Sequence, residues 1–206
     1  MPITKEATLY TFDELSERAK ETARHWFRSA IDESDLDCVI EDVATIADIL
    51  GIDLRQRPVK LMSGATRYDP DISYSVGFCQ SDYAAFDGQY RYKKGAAKAI
   101  RAYAPKDAEL HAVADGLQSL QRTRFYRLTA RCSAGRAYQQ VETFDNGDYA
   151  DSATTDSMTE LLRNFAAWIY AQLRAEVEYQ HSDKCIDENI LANEYTFDRF
   201  GDVFSE

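Results

Sequence analysis

The stretch Ile72–Ala104, ISYSVGFCQSDYAAFDGQYRYKKGAAKAIRAYA, decides the fold because two strands and one helix follow one another within it. Aromatic or β-branched side chains recur at every second position from Ile72 to Phe78, and again from Gln89 to Lys93. This period of two is typical of strands. Residues 81–88 end in a glycine and would join the two strands by a tight connection. The stretch therefore predicts a strand pair followed by a helix.

Helical patterns lie on both sides of this stretch. Residues 11–14, Thr-Phe-Asp-Glu, form a capping box and predict a helix that extends to about residue 31. A second helical pattern covers residues 36–50 and ends at Gly51, where a left-handed cap is expected. Residues 1–51 are therefore predicted to form a helical hairpin. Further helices are predicted to open at Gly95, at Asp107, at the Ser157–Glu160 capping box and near Asp183.

Further extended segments complete a sheet. Residues 52–61 are extended, and Pro58 within them favours an edge strand, whereas residues 64–70 read as a loop. The remaining predicted strands are Phe125–Cys132, Tyr138–Phe144, Tyr195–Phe197 and Val203–Phe204. Because strands come in adjacent pairs, the sequence predicts an α+β fold with a mostly antiparallel sheet of roughly four to six strands, covered by helices.

Length and composition predict one soluble domain. The 206 residues are 45% hydrophobic and 12% aromatic, which is enough for a real core, and no linker divides residues 1–206. Residues 52–206 would form the sheet with its covering helices. The beginning of the chain has no apolar run typical of a secretory signal, and no stretch reaches the roughly 18 apolar residues of a membrane span. A cytoplasmic location is expected.

The cysteines and histidines show no metal-binding spacing. Four cysteines lie far apart, without a CxxC motif and without a neighbouring histidine to complete a ligand set. They are predicted to be buried free thiols: Cys38, Cys79, Cys132 and Cys185. The three histidines are equally scattered. No metal and no cofactor is expected.

Charge alternates along the chain, which carries a net charge of −11. Residues 1–50 have 5 basic and 12 acidic side chains, residues 51–136 have 15 and 8, and residues 137–206 have 4 and 15. A strongly negative body repels nucleic acid and membrane surfaces and favours basic partners. Solubility alone is the simpler explanation of an acidic surface.

The acidic last third supplies one set of candidate partner-binding residues. Its carboxylates could imitate a row of phosphates and occupy a basic nucleic-acid channel on a partner, or they could form a solvated face only. The acidic candidates are Asp145, Asp148, Asp151, Asp156, Asp183, Asp187 and Glu188. Mimicry predicts that affinity for the partner falls steeply with salt.

Basic side chains follow the second predicted strand and could hold a nucleic-acid backbone, with tyrosines interleaved among them. These basic candidates are Lys93, Lys94, Lys98 and Arg101. The alternative, that Lys98 and Arg101 cover the solvent face of an amphipathic helix, is favoured because the rest of the molecule would repel phosphates. Nucleic acid is therefore not the expected partner.

One segment of the chain resembles a known family. The resemblance is carried first by Gly77, Phe78, Gln80, Asp82, Ala84, Phe86 and Gly88. In this segment, and in order along most of the chain, the sequence resembles phage- and prophage-borne proteins labelled as antitoxins of a toxin–antitoxin stability system. Cys79 stands where that family usually has Trp, and Ser81 and Tyr83 replace two glycines around the Asp. The family-segment candidates are Gln80, Asp82 and Phe86.

The resemblance implies a mobile-element protein that acts inside a bacterium. Small acidic proteins of such elements commonly block a nuclease or a defence complex, as anti-CRISPR proteins do. The expected function is therefore a non-enzymatic inhibitor that binds a CRISPR-type defence complex by stoichiometric protein contact. Two alternatives stay open, namely a module that sequesters a toxin and a phage accessory protein that binds nucleic acid.

No pattern in the chain points to catalysis. The sequence contains no GxxxxGK[ST] loop, no GxGxxG, no HExxH and no GxSxG elbow. With 35 carboxylates, acidic pairs at helical spacing are expected by chance and nominate no acid–base pair. The chain is predicted not to be an enzyme. Pairing of the exposed tyrosine-rich strand with a second copy is a further alternative, which would give a homodimer.

Overall fold

The computed structural model describes residues 8–31, 36–77, 80–135 and 138–204. These residues form six α-helices and eleven strands. The helices are α1 (Glu17–Ala30), α2 (Asp37–Leu50), α3 (Ala96–Tyr103), α4 (Ala108–Thr123), α5 (Ser152–Gln180) and α6 (Asp183–Ala192). The strands are β1 (Tyr10–Thr11), β2 (Ile52–Leu54), β3 (Gln56–Lys60), β4 (Thr66–Pro70), β5 (Ile72–Ser75), β6 (Tyr83–Phe86), β7 (Gly88–Arg91), β8 (Leu128–Ala134), β9 (Gln139–Asp145), β10 (Asp148–Tyr149) and β11 (Thr196–Phe197).

Contacts divide the chain into two compact units, which are described separately. Residues 36–174 form the central unit, and residues 1–35 and 175–206 form the terminal unit. The two helices predicted as a hairpin are both present, with α1 in the terminal unit and α2 in the central unit. The single domain proposed from the sequence stays a prediction.

The main sheet of the central unit is antiparallel throughout. Its strand order is β10-β9-β8-β7-β2, so β8 is the middle strand. This arrangement confirms the predicted α+β class. Gly88 lies where β7 passes closest to β2, and a Cβ atom there would lie 2.5 Å from the carbonyl oxygen of Asp53. Glycine is therefore required for this strand pairing.

The two faces of the main sheet differ in burial. On one face the side chains of Ile52, Tyr90, Leu128 and Ala130 are buried. Leu50, Tyr90, Ala114 and Leu117 line one small void, so α2 and α4 pack against this face. The opposite face carries the exposed side chains of Gln89, Arg91, Arg131 and Glu142. One covered face and one open face is the usual arrangement of an antiparallel sheet.

Two hairpins flank the main sheet, and both correct the sequence prediction. β3 pairs with β4, so residues 64–70 are not a loop but contain a strand. β5 pairs with β6, so the predicted tight connection over residues 81–88 also contains a strand. Among the described residues β3 has no second neighbour, which confirms that Pro58 lies in an edge strand.

The two ends of the helices show which of the predicted capping residues the fold uses. Gly51 caps α2 with φ +88°, and the Asp107 carboxylate accepts a hydrogen bond from the Leu110 amide at 2.9 Å, so both predictions are confirmed. The capping box at residues 11–14 opens only a 3-10 turn, and α1 begins later, capped by Ser16. Ser157 lies inside α5, which begins five residues earlier at Ser152.

The cysteine prediction is confirmed in part. Cys132 and Cys185 are buried free thiols, whereas Cys38 is a free thiol on the surface. Burial raises the pKa of the Cys132 thiol to about 12. Cys79 lies outside the described residues, as does Phe78 at the end of the first predicted strand.

The terminal unit is built on α1 and α6. Phe12, Ala23, Ile186 and Phe197 belong to its buried apolar core. β1 pairs with β11, and Phe197 forms an isolated antiparallel bridge with Val203, which agrees with the predicted terminal strand and turn. Two arginines of α1 pair with two aspartates of α6, which ties the two helices together.

No helix within the described residues combines the length and the apolar composition needed to cross a lipid bilayer.

A buried amide joins β6 to the main sheet. The Gln139 side chain accepts a hydrogen bond from the Phe86 amide at 2.8 Å and donates to the Phe86 carbonyl at 2.9 Å. We expect Gln139→Ala to lower the free energy of unfolding by about 2–4 kcal/mol, because two buried backbone groups lose their partner. Urea denaturation measures this loss. The exposed neighbour provides the control, since Gln140→Ala should cost less than about 0.5 kcal/mol, and equal losses would contradict the role of the buried amide.

Candidate functional site

The acidic candidates do not form one row. Four lie in the central unit, between β9 and the first turns of α5, and three lie on α6 of the terminal unit. Those of the central unit are Asp145, Asp148, Asp151 and Asp156. Those of the terminal unit are Asp183, Asp187 and Glu188.

Two acidic candidates of the central unit already have structural partners. Asp151 caps α5, because its carboxylate accepts hydrogen bonds from the Thr154 amide at 3.0 Å and the Thr154 hydroxyl at 2.9 Å. These bonds, together with the Arg124 guanidinium, lower the pKa of the Asp151 carboxyl. Asp145 lies 3.4 Å from the Arg127 guanidinium. Asp148 and Asp156 are exposed.

In the terminal unit, two of the three acidic candidates pair with arginines of α1. Asp187 accepts two hydrogen bonds of 2.7 Å from Arg24, and Asp183 pairs with Arg28, whereas Glu188 is exposed. The hydrogen bonds that Arg24 donates to Asp187 raise the pKa of the Arg24 guanidinium. Counted over the sequence, this unit has 7 basic and 17 acidic side chains, a net charge of −10. The central unit has 17 and 18, a net charge of −1.

The family-segment candidates have mainly structural roles. The Asp82 carboxylate accepts hydrogen bonds from the Gly77 amide at 3.0 Å and the Ser75 hydroxyl at 3.3 Å, so it holds the end of the β5–β6 hairpin. Phe86 is fully buried and meets Phe165 edge-on, with ring centroids 5.5 Å apart. Gln80 is the one exposed member of the three.

The basic candidates are divided between paired and unpaired side chains. Lys93 donates to the Asp48 carboxylate at 2.9 Å, and Arg101 donates to Asp115. Lys94 and Lys98 are exposed. Of the interleaved tyrosines, Tyr90 is buried, which raises the pKa of its hydroxyl to about 12, so its ring offers no surface to a base.

The sequence prediction missed a more basic stretch. Residues 116–141 contain five arginines and no carboxylate, in a chain of net charge −11. Within it, the run Arg124-Phe-Tyr-Arg127 puts two aromatic side chains between two arginines. A charge count over residues 51–136 hides this stretch, because the same segment also contains eight acidic side chains. A shorter window would have found it.

Residues of this stretch gather at one end of the main sheet, where the turn between α4 and β8 leads into the Thr129 row. We call this surface the aromatic–arginine face, formed by Arg91, Arg131, Phe144 and Tyr149 on the sheet and by Phe125, Tyr126 and Arg127 in the turn. Arg91 lies opposite Thr129 in the sheet register, and Thr129 lies opposite Phe144. Phe144 in turn lies opposite Tyr149, with ring centroids 5.0 Å apart. The register therefore places an arginine and two aromatic rings in one row across the sheet.

The turn between α4 and β8 supplies the other aromatic rings. Tyr126 packs on Tyr92, with ring centroids 4.5 Å apart, and the Arg127 guanidinium lies 5.8 Å from the centroid of the Phe125 ring. Phe125 is 78% exposed. The predicted strand Phe125–Cys132 is wrong at its beginning, because β8 starts only at Leu128.

The backbone of this turn is strained. Phe125 has φ +53° and Tyr126 has φ +61°, in the left-handed region that costs an ordinary residue about 1–2 kcal/mol. A buried side chain holds the turn in place, because the Gln121 amide donates to the Leu128 carbonyl at 2.8 Å and accepts from the Leu128 amide at 3.2 Å. Such strain is typical of functional sites.

A shallow hollow of about 290 Å³ opens on this face. Its lining includes the two arginines, a ring and polar groups: Gln89, Arg91, Thr129, Arg131, Phe144 and Gly147. Guanidinium groups bind anions and stack on planar groups, and aromatic rings stack on planar ligands. The hollow is therefore suited to a ligand that is both planar and negatively charged. Among the described residues, no group of three or more His, Cys, Asp or Glu side chains could hold a metal ion.

The strain at Phe125 can be measured by comparing two substitutions. We expect Phe125→Gly to be more stable than Phe125→Ala by about 1 kcal/mol, because glycine alone adopts a positive φ without cost. Urea denaturation of the two variants gives the difference, and the alanine variant serves as the control for loss of the ring. At a residue with negative φ alanine would be the more stable, so that order would contradict a left-handed turn.

Comparison with known proteins concerns mainly the central unit. A family model described as a domain of unknown function (DUF8835) matches residues 36–183. This range includes all of residues 36–174, and with them the aromatic–arginine face. No curated protein and no solved structure matches the chain. Because the matched range is well over half of the sequence, the chain belongs to the DUF8835 family.

Proposed function

We propose that this protein is a non-enzymatic inhibitor that binds a CRISPR-type bacterial defence complex by stoichiometric protein contact. It would act in the bacterial cytoplasm and use an acidic surface that imitates nucleic-acid phosphates. The observation that carries the proposal is the separation of charge, with a net −10 on the terminal unit and −1 on the central unit. Concentrated negative charge steers a protein towards basic surfaces and accelerates association.

The basic side chains of the terminal unit do not cancel this charge. Lys20 lies 3.2 Å from Glu17, and Arg24 and Arg28 are paired with aspartates of α6. These three cations are therefore engaged within the unit. Among the described carboxylates of this unit, Asp13, Glu188, Glu194 and Asp202 are exposed, where a partner can reach them.

Exposed aromatic side chains lie among the surplus carboxylates. Glu194 and Asp202 are exposed, and Phe200 and Phe204 lie at the same end of the chain with 59% and 45% of their surface accessible. Aromatic side chains are enriched in protein–protein contacts, so these two rings favour a binding surface over a face that serves solubility alone.

A second candidate function uses the same surface. The resemblance to proteins labelled as antitoxins favours a module that sequesters a small basic toxin. The two functions differ in the partner, which is a large complex in one case and a single small protein in the other.

Capture of the partner tests both functions. The tagged protein is purified at moderate salt from a bacterium with active CRISPR systems, and the proteins that elute are identified by mass spectrometry. Defence-complex subunits in stoichiometric amount would support the inhibitor. A single small basic protein would support the antitoxin, and recovery of neither would overturn the proposal.

Charge removal locates the contact. We expect the triple substitution Glu188→Gln, Glu194→Gln and Asp202→Asn to weaken partner binding about tenfold, close to 1.4 kcal/mol, because attraction to a basic surface is lost. Binding measured at two salt concentrations should also become less sensitive to salt.

The matched control removes the same charge from the central unit through Asp53→Asn, Asp148→Asn and Asp156→Asn. These carboxylates are exposed, and the control leaves the cap residue Asp151 intact. Binding should change less than about twofold. A larger loss in the control than in the triple variant would move the contact to the acidic candidates of the central unit.

A further inference from the structure

We propose that the aromatic–arginine face binds single-stranded nucleic acid. Bases would stack on the exposed rings, and the arginines would hold the phosphates. This site lies in the central unit and is independent of the acidic surface in the proposed function. It also differs from the basic candidates of the sequence analysis, which follow β7.

Charge favours a polyanion at this face. The stretch of residues 116–141 contains five arginines without a carboxylate, and Arg91 has no carboxylate partner among the described residues. Arg131 lies 3.4 Å from the Glu142 carboxylate, with 66% and 49% of the two side chains exposed. Such a long, exposed ion pair is weak. Arg91 and Arg131 are therefore available to phosphates, and Arg127 has 50% of its side chain exposed.

The rings favour an unpaired strand over a duplex. Phe125 is 78% exposed and Tyr149 is 76% exposed, so both offer a face to a base. Stacking on an aromatic side chain contributes roughly 5-fold to 100-fold in affinity per base, and only an unpaired strand can present its bases in this way. In the free protein the Phe125 ring is mostly exposed, although the backbone of its turn is strained. A stacked base would supply a contact for this ring.

The dimensions of the face fit a short segment of single-stranded nucleic acid. The row from Arg91 through Thr129 and Phe144 to Tyr149 crosses the four neighbouring β-strands β7, β8, β9 and β10. With neighbouring strands about 4.8 Å apart, it spans roughly 14 Å. Open sheet faces that recognise RNA stack two or three bases over a comparable span. The hollow between Arg91 and Phe144 would take one base and its phosphate.

Titration of labelled oligonucleotides tests the proposal on the full chain. Fluorescence anisotropy is measured with 20-nucleotide oligo(dT) and oligo(rU), with a 20-base-pair duplex for comparison. We expect both single strands to bind and the duplex to bind at least tenfold more weakly. With three arginines on phosphates, the slope of log affinity against log salt should be roughly −2.

Substitutions decide whether this face is the site. We expect Arg91→Gln with Arg131→Gln to weaken binding at least tenfold, and Phe125→Gly to weaken it at least fivefold. Lys94→Gln with Lys98→Gln is the matched control, because it removes the same charge from exposed lysines outside the face. The control should change affinity less than twofold. Circular dichroism confirms that each variant is folded.

The other outcomes overturn the proposal. Equal losses in the arginine pair and the lysine pair would mean that binding follows overall charge and not this face. Tighter binding of the duplex would exclude stacking on unpaired bases. If neither single strand binds, while Phe125→Gly removes a protein captured from cell extract, the face is a protein contact.

Discussion

Two hydrogen bonds between the buried amide of Gln121 and the backbone of Leu128 set the geometry on which the rest of the central unit depends. They tie the last turn of α4 to the first residue of β8, the middle strand of the main sheet. Tyr90 of the neighbouring strand is buried on the sheet face against which α4 packs. A buried amide such as that of Gln121 specifies one arrangement, because leaving its bonds unmade is costly.

The exposed site follows from this fixed point. With α4 and β8 held together, the turn between them has few conformations available, and Phe125 and Tyr126 adopt left-handed geometry. The cost of about 1–2 kcal/mol for each residue is borne by the surrounding packing and hydrogen bonds. Their rings are consequently held at the end of the main sheet where Arg91 and Phe144 lie. A rigid display lowers the entropy that binding must overcome.

The sequence predicts those parts of the fold that depend on local signals. Alternating side chains in β7, the glycine at the end of α2 and the Asp107 cap can each be recognised without tertiary contacts. β4, with the sequence TRYDP, has no local signal for a strand, because most of its side chains are exposed and no hydrophobic alternation marks it. Phe125 and Tyr126 are predicted to belong to a strand, since aromatic residues favour strands. Their real conformation depends on Gln121, whose partner cannot be recognised from the sequence.

The two proposed surfaces also differ in how they relate to the family. A property common to DUF8835 proteins must reside within the matched range, which ends at residue 183. The aromatic–arginine face meets this condition, whereas α1 and nearly all of α6 lie outside the range. Net charge does not decide between the surfaces, because repulsion between exposed charges is screened beyond about 8 Å at physiological salt, and affinity depends on the charges in contact. The face on the central unit is therefore the better candidate for a shared activity, and the acidic terminal unit for what distinguishes this chain.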